Sequence, residues 1–101
     1  MNLQDIYTIE QDNEETELEF FEAIQRAINE GTAWKFQGSY GRTMMDAING
    51  GYCLLGKHRA QDYYGNTIPS RDDVEEGTKG SYEYVIARQG DSWADIMANL
   101  P

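Results

Sequence analysis

Apolar residues recur three and four apart in two stretches of the chain, and these predict its clearest elements. Phe20, Phe21, Ile24, Ala27 and Ile28 share one stripe, while Glu17, Glu19, Glu22, Gln25, Arg26 and Glu30 fall largely off it. Thr16-Glu17-Leu18-Glu19 has the spacing of a capping box and Gly31 supplies a stop, so a helix is expected from about Thr16 to Glu30. Near the end of the chain, Trp93, Ile96, Met97 and Leu100 repeat the helical pattern, with Ser92 as the expected cap and Asp95 three residues on. Between them a shorter helix is expected from a Ser39 cap to Asn49, ended by Gly50-Gly51, with Met44, Met45, Ala47 and Ile48 turned to the core.

Strand signals are shorter. Ile6–Ile9 fits a brief strand; Trp34 and Phe36, two apart within Thr32–Gln37, would share a strand face. Tyr52–Leu55 is an apolar run between glycines, as a buried strand would be, and Tyr82–Ala87 suits a strand as well. The polar stretch Gly56–Gly80 lacks periodicity. Asp62–Pro69 within it reads as turns, and Ser70-Arg71-Asp72-Asp73 as the cap of a single helical turn ending near Gly77. A loop this long needs internal anchors. Tyr63, Tyr64 and Ile68 are expected to fold inward, leaving Arg59, Asp62 and Arg71 outward and close together. The predicted fold is α+β: a single domain over 1–101, with about three helices packed on a short three- to four-stranded sheet holding Trp34, Phe36, Leu54, Tyr84 and Ile86. Residues 1–15 are expected as an acidic, flexible arm.

Charge sharpens this picture. The net charge is −10, and residues 1–22 hold eight of the 18 acids with no Lys or Arg. Such a surface repels phosphate and attracts basic partners, which disfavours nucleic acid. The single cysteine, Cys53, allows no internal disulfide and points to a reducing compartment. No apolar run approaches the ~18 residues of a membrane span, so no membrane association is expected. Partners are expected among proteins, with the chain a monomer or small homo-oligomer.

Trp34–Val85 resembles small uncharacterised proteins of mycobacteriophages and related actinobacterial phages. The resemblance is carried by Gln37-Gly38-Ser39-Tyr40-Gly41-Arg42, Met45-Asp46-Ala47-Ile48, Cys53-Leu54-Leu55-Gly56 and above all Asp62-Tyr63-Tyr64-Gly65-Asn66-Thr67-Ile68-Pro69-Ser70-Arg71, with Gly77-Thr78-Lys79-Gly80-Ser81 and Tyr84-Val85 completing it. It covers about half the chain and leaves out the acidic arm and the last helix. It implies a phage origin and the cytoplasm of a bacterial host, and it brings no activity or catalytic residues with it.

Candidate chemistry is sparse. His58 is the only histidine, with Asp62 four residues on, but a hydrolase also needs a nucleophile and an oxyanion pocket. Cys53 between Tyr52 and Leu54 reads as a core residue, so no catalytic residue is assigned and the chain is not expected to be an enzyme. Asp12-Asn13-Glu14-Glu15 lacks the calcium-loop pattern, and one His with one Cys cannot build a zinc site, so no metal or other cofactor is expected. Tyr40, Arg42, Arg59, Asp62, Tyr63, Tyr64 and Arg71 form the candidate interaction set, since tyrosines among basic residues can stack and pair with a ligand. The plainer reading is that these tyrosines cover the core and the charges are solvated. Glu15, Glu17, Glu19 and Glu22 form an acidic face that would either mimic a phosphate backbone or simply solvate a helix. The expected function is therefore a non-catalytic interaction protein binding a host or phage macromolecule. The alternative is a nucleic-acid-associated module using Arg42, Lys57, Arg59, Arg71 and Lys79, and a DNA mimic is a further one. Clustering of those five bases on one face would favour the module; scattering, or pairing with Asp62, Asp72 and Asp73, would favour the interaction protein.

Overall fold

The computed structural model describes residues 17–35 and 39–101. The acidic arm, the Ile6–Ile9 strand, the Thr16 cap, Phe36 and the capping side chain of Ser39 lie outside the described residues. The elements are helix α1 (Glu17–Glu30), a 3-10 turn (Thr32–Lys35), helix α2 (Ser39–Asn49), strands β1 (Ala60–Gln61) and β2 (Thr67–Ile68), helix α3 (Tyr82–Gln89) and helix α4 (Asp91–Asn99). The described part is thus α+β in class, but with four α-helices and one small antiparallel pair rather than three helices on a three- to four-stranded sheet.

The α1 stripe behaves as its periodicity requires. Ala23, Ile24, Ala27 and Ile28 are buried, and the helix packs against α2, the 3-10 turn and α4. Phe21 stacks on Tyr52 at 4.2 Å with nearly parallel rings and lies 6.1 Å from Trp93. In α4, Ala94 and Met97 are buried while Ile96 faces water, so the buried face is centred one position away from the expected stripe. That helix begins at Asp91 with Gly90 as its N-cap, and Ser92 sits inside the first turn rather than capping it.

Three expected strands take other forms. Gly31, at φ 85°, turns the chain after α1, and the next turn buries the neighbours Ala33 and Trp34. Adjacent rather than alternate burial is what a tight helical turn gives and a strand does not. Tyr82–Gln89 is helical because the Ser81 hydroxyl accepts the Tyr84 N–H at 3.2 Å, closing the first turn. Val85 is the buried centre of that helix, with Tyr82 and Ile86 packed beside it.

Within Tyr52–Leu55, Cys53, Leu54 and Leu55 are buried as expected and Tyr52 partly so, but the run has no strand partner. Its backbone is satisfied piecemeal from other elements. Gln25 of α1, itself fully buried, takes the Leu54 N–H on Oε1 at 2.7 Å and donates Nε2 to the Leu54 carbonyl at 3.1 Å. One side-chain amide therefore does for Leu54 what a neighbouring strand would do. Trp93 Nε1 donates to the Tyr52 carbonyl at 2.9 Å, Leu55 N–H donates to the Gly80 carbonyl at 3.1 Å, and Arg71 Nε donates to the Leu55 carbonyl at 2.9 Å. Gly80 is needed at that crossing: its φ is 92°, and a Cβ there would sit 2.6 Å from Leu55 Cγ. The core thus forms around this strap, with Ile24, Ile28, Met44, Leu54, Val85 and Met97 among its largest fully buried side chains. No described helix is long and apolar enough to cross a membrane.

Candidate functional site

The stretch Gly56–Gly80 contains a small hairpin whose tip is the most exposed aromatic feature among the described residues. Ala60 pairs with Ile68 and Gln61 with Thr67 in antiparallel register. Asp62 N–H donates to the Asn66 carbonyl at 3.0 Å, and Gly65 N–H donates to the Asp62 carbonyl at 3.1 Å. Tyr63 and Tyr64 hold the two central positions of that turn with negative φ, and Gly65 follows at φ 83°. This is a type I turn closed by a left-handed glycine, a three-residue hairpin connection. Asp62 fixes it further: its Oδ1 accepts the N–H of Tyr64 at 2.9 Å and of Asn66 at 2.8 Å, and Oδ2 accepts Asn66 Nδ2 at 3.3 Å.

The expectation that Tyr63 and Tyr64 fold inward is overturned. Their relative exposures are 53% and 77%, and the rings meet edge to face at 5.2 Å over the turn. Both central turn positions project away from the strands, and the Asp62 bonds hold the backbone that way, so neither ring can reach the core. Ile68 is half-buried against the core and is the anchor that the sequence pointed to.

Arg71 is likewise reversed. Its Nη2 donates to Asn29 Oδ1 at 3.0 Å and its Nη1 lies 3.5 Å from the Ala98 carbonyl, in addition to the Leu55 bond. Burial pulls its pKa down, partly opposed by Asp72. Arg71 therefore joins α1, the strap and the end of α4, and Asn29 extends the junction by donating to the Leu100 and Pro101 carbonyls, each at 3.1 Å. Arg59 is outward as expected, but it is engaged: Nε and Nη2 fork onto the Asp73 carboxylate at 2.8 and 2.9 Å. Asp73 also accepts the Ser70 N–H at 2.9 Å and the Ser70 hydroxyl at 3.0 Å. These bonds, the Arg59 fork foremost, hold the Asp73 carboxyl well below the usual carboxylate range. Ser70–Asp73 is thus a turn bracing the hairpin base, where a helical turn capped by Ser70 was expected.

Of the remaining candidates, Tyr40 is half-buried and Arg42 exposed on the first turn of α2, a different element from the hairpin. Glu17 and Glu19 are exposed and Glu22 half-buried on α1; Glu15 lies outside the described residues. Two of the five bases proposed for a nucleic-acid face are spent internally, Arg59 on Asp73 and Arg71 on the core junction. His58 is exposed, whereas Cys53 is fully buried, 3.5 Å from the Phe21 carbonyl, with its thiol pushed up by burial. The described residues contain no group of three side chains suited to a metal ion. Beside the hairpin, a polar groove of about 470 Å³ is lined by Glu30, Thr32, Lys35, Arg59, Gln61 and Thr67 among others.

The residue that sequence reasoning misses is Gln25, which reads only as a polar position off the α1 stripe. Ser70 and Asp73 read as a cap, and Asp73 as one possible partner for the bases, but nothing local singles out the arginine at position 59. Comparison with protein families, curated proteins and solved structures finds no match for this chain.

Proposed function

We propose that this chain is a phage accessory protein that works in the host cytoplasm by binding a host or phage macromolecule, without chemistry of its own, through the Tyr63–Tyr64 tip. The carrying observation is the pair of large aromatic rings held in water by a turn that Asp62 has already fixed. Tyrosine on a preformed turn offers large contact area with little ordering left to lose on binding, which is the profile of an interface anchor. The absence of chemistry is supported by Cys53 being buried with a raised pKa while His58 stands exposed. Phage origin rests on the resemblance over Trp34–Val85. The nucleic-acid alternative is weakened because Arg59 and Arg71 are committed to Asp73 and the core junction.

Affinity capture from host cells, compared between wild type and the double variant Tyr63→Ala with Tyr64→Ala, tests the reading. A partner retained by wild type after nuclease treatment and lost from the folded variant supports it. An unchanged set of captured proteins sinks it, and loss of the partner on nuclease treatment transfers the function to nucleic acid.

A further inference from the structure

The tip carries charge as well as rings, and its charge is uncancelled. Asp62 spends Oδ1 on two backbone N–H groups, and Oδ2 has only a 3.3 Å contact with the neutral Asn66 amide. No described cation forms an ion pair with it. Arg59, the nearest arginine in the hairpin, is forked onto Asp73. A carboxylate without an ionic partner therefore sits at the root of two exposed tyrosine rings, in a chain of net charge −10.

Resting on the reading of the tip as the contact surface, we infer that its partner is a basic protein surface presenting arginine or lysine side chains to Tyr63, Tyr64 and Asp62. An aromatic face attracts a cation placed over it, and the neighbouring carboxylate supplies the ionic half of the contact. The same chain already uses the first of these: the Arg88 guanidinium lies 4.9 Å from the Tyr84 ring centre. The net charge draws basic partners in at long range and turns phosphate backbones away, so a protein surface fits where a nucleic acid does not.

The test is a heteronuclear NMR titration at physiological salt with three probes: an alternating arginine-glycine decapeptide, its glutamate-glycine counterpart, and a single-stranded oligonucleotide. The expected result is saturable shifts of the Tyr63 and Tyr64 ring signals with the arginine peptide alone. Asp62→Asn, which keeps the turn-forming oxygen and removes the charge, should weaken that binding by about two- to fivefold. Each ring removed singly should weaken it by a similar factor. The inference is overturned if the arginine peptide shifts only the Glu17–Glu22 face of α1, or if the oligonucleotide moves the rings instead. Rings that stay silent to the arginine peptide, while the double tyrosine variant still loses its captured partner, refute the basic-partner inference and leave the tip as the contact surface. A double variant that keeps its partner removes both.

Discussion

Replacing Gln25 with leucine keeps the approximate size of the side chain but removes every polar bond it makes. Leu54 is 1% exposed, and Gln25 supplies the partners of both its N–H and its carbonyl. Each buried backbone group left without a partner costs about 1–3 kcal/mol, so the gross loss is about 2–6 kcal/mol. Leucine regains roughly 1–2 kcal/mol through its larger apolar surface. The net destabilisation is therefore expected at about 2.5 kcal/mol, the middle of a range of about 0–5 kcal/mol and a large share of the ~5–15 kcal/mol typical of a domain. Urea unfolding should show the midpoint falling by about 1 M or more with the slope unchanged. Hydrogen exchange should show the Leu54 amide, protected in wild type, exchanging much faster in the variant. A midpoint equal to wild type, with Leu54 still protected, would refute the idea that Gln25 stands in for a strand partner.

Other outcomes follow from the same contacts. Arg71→Ala, which strips charged donors from the Leu55 carbonyl and Asn29, should destabilise by about 2–4 kcal/mol in chemical denaturation, and Arg71→Lys should recover only part because one ammonium cannot span both acceptors. Asp73 has its folded pKa depressed, so its stabilisation is present above the unfolded value of about 3.9 and is lost as pH falls below it. Unfolding midpoints compared at pH 6 and pH 3 should therefore drop less in Asp73→Asn than in wild type. Cys53 should resist a thiol alkylating reagent in native protein and react once unfolded, as mass spectrometry of the intact chain would record.

What could be read from the sequence was the part governed by local periodicity. Ile24, Ala27 and Ile28 announced α1, and Gly31 and Gly50-Gly51 marked where helices end. Tyr82, Tyr84 and Ile86 alternate and favour strands, yet the Ser81 cap and the burial of Val85 make a helix, because tertiary packing decides between periods over so short a window. The strap Tyr52–Leu55 was legible as buried but not as unpaired, since its partners Gln25, Trp93, Arg71 and Gly80 are distant in sequence. At the tip, the rule that large aromatics go inside misled; Asp62 and Gly65-Asn66 carried the better information, for they dictate the turn and the turn points both rings outward. Arg71 misled in the opposite way, as a charged loop residue that fixes a junction.

The central claim is that Tyr63 and Tyr64 are held outward for contact and contribute little to folding. It is tested most directly by the affinity of the captured partner for the double alanine variant, measured calorimetrically below a melting transition recorded on the same sample. The account expects a melting temperature close to wild type and an affinity lower by about tenfold or more, as for loss of an interface anchor. Wild-type affinity in a variant that melts normally, or a variant that unfolds outright, would contradict it.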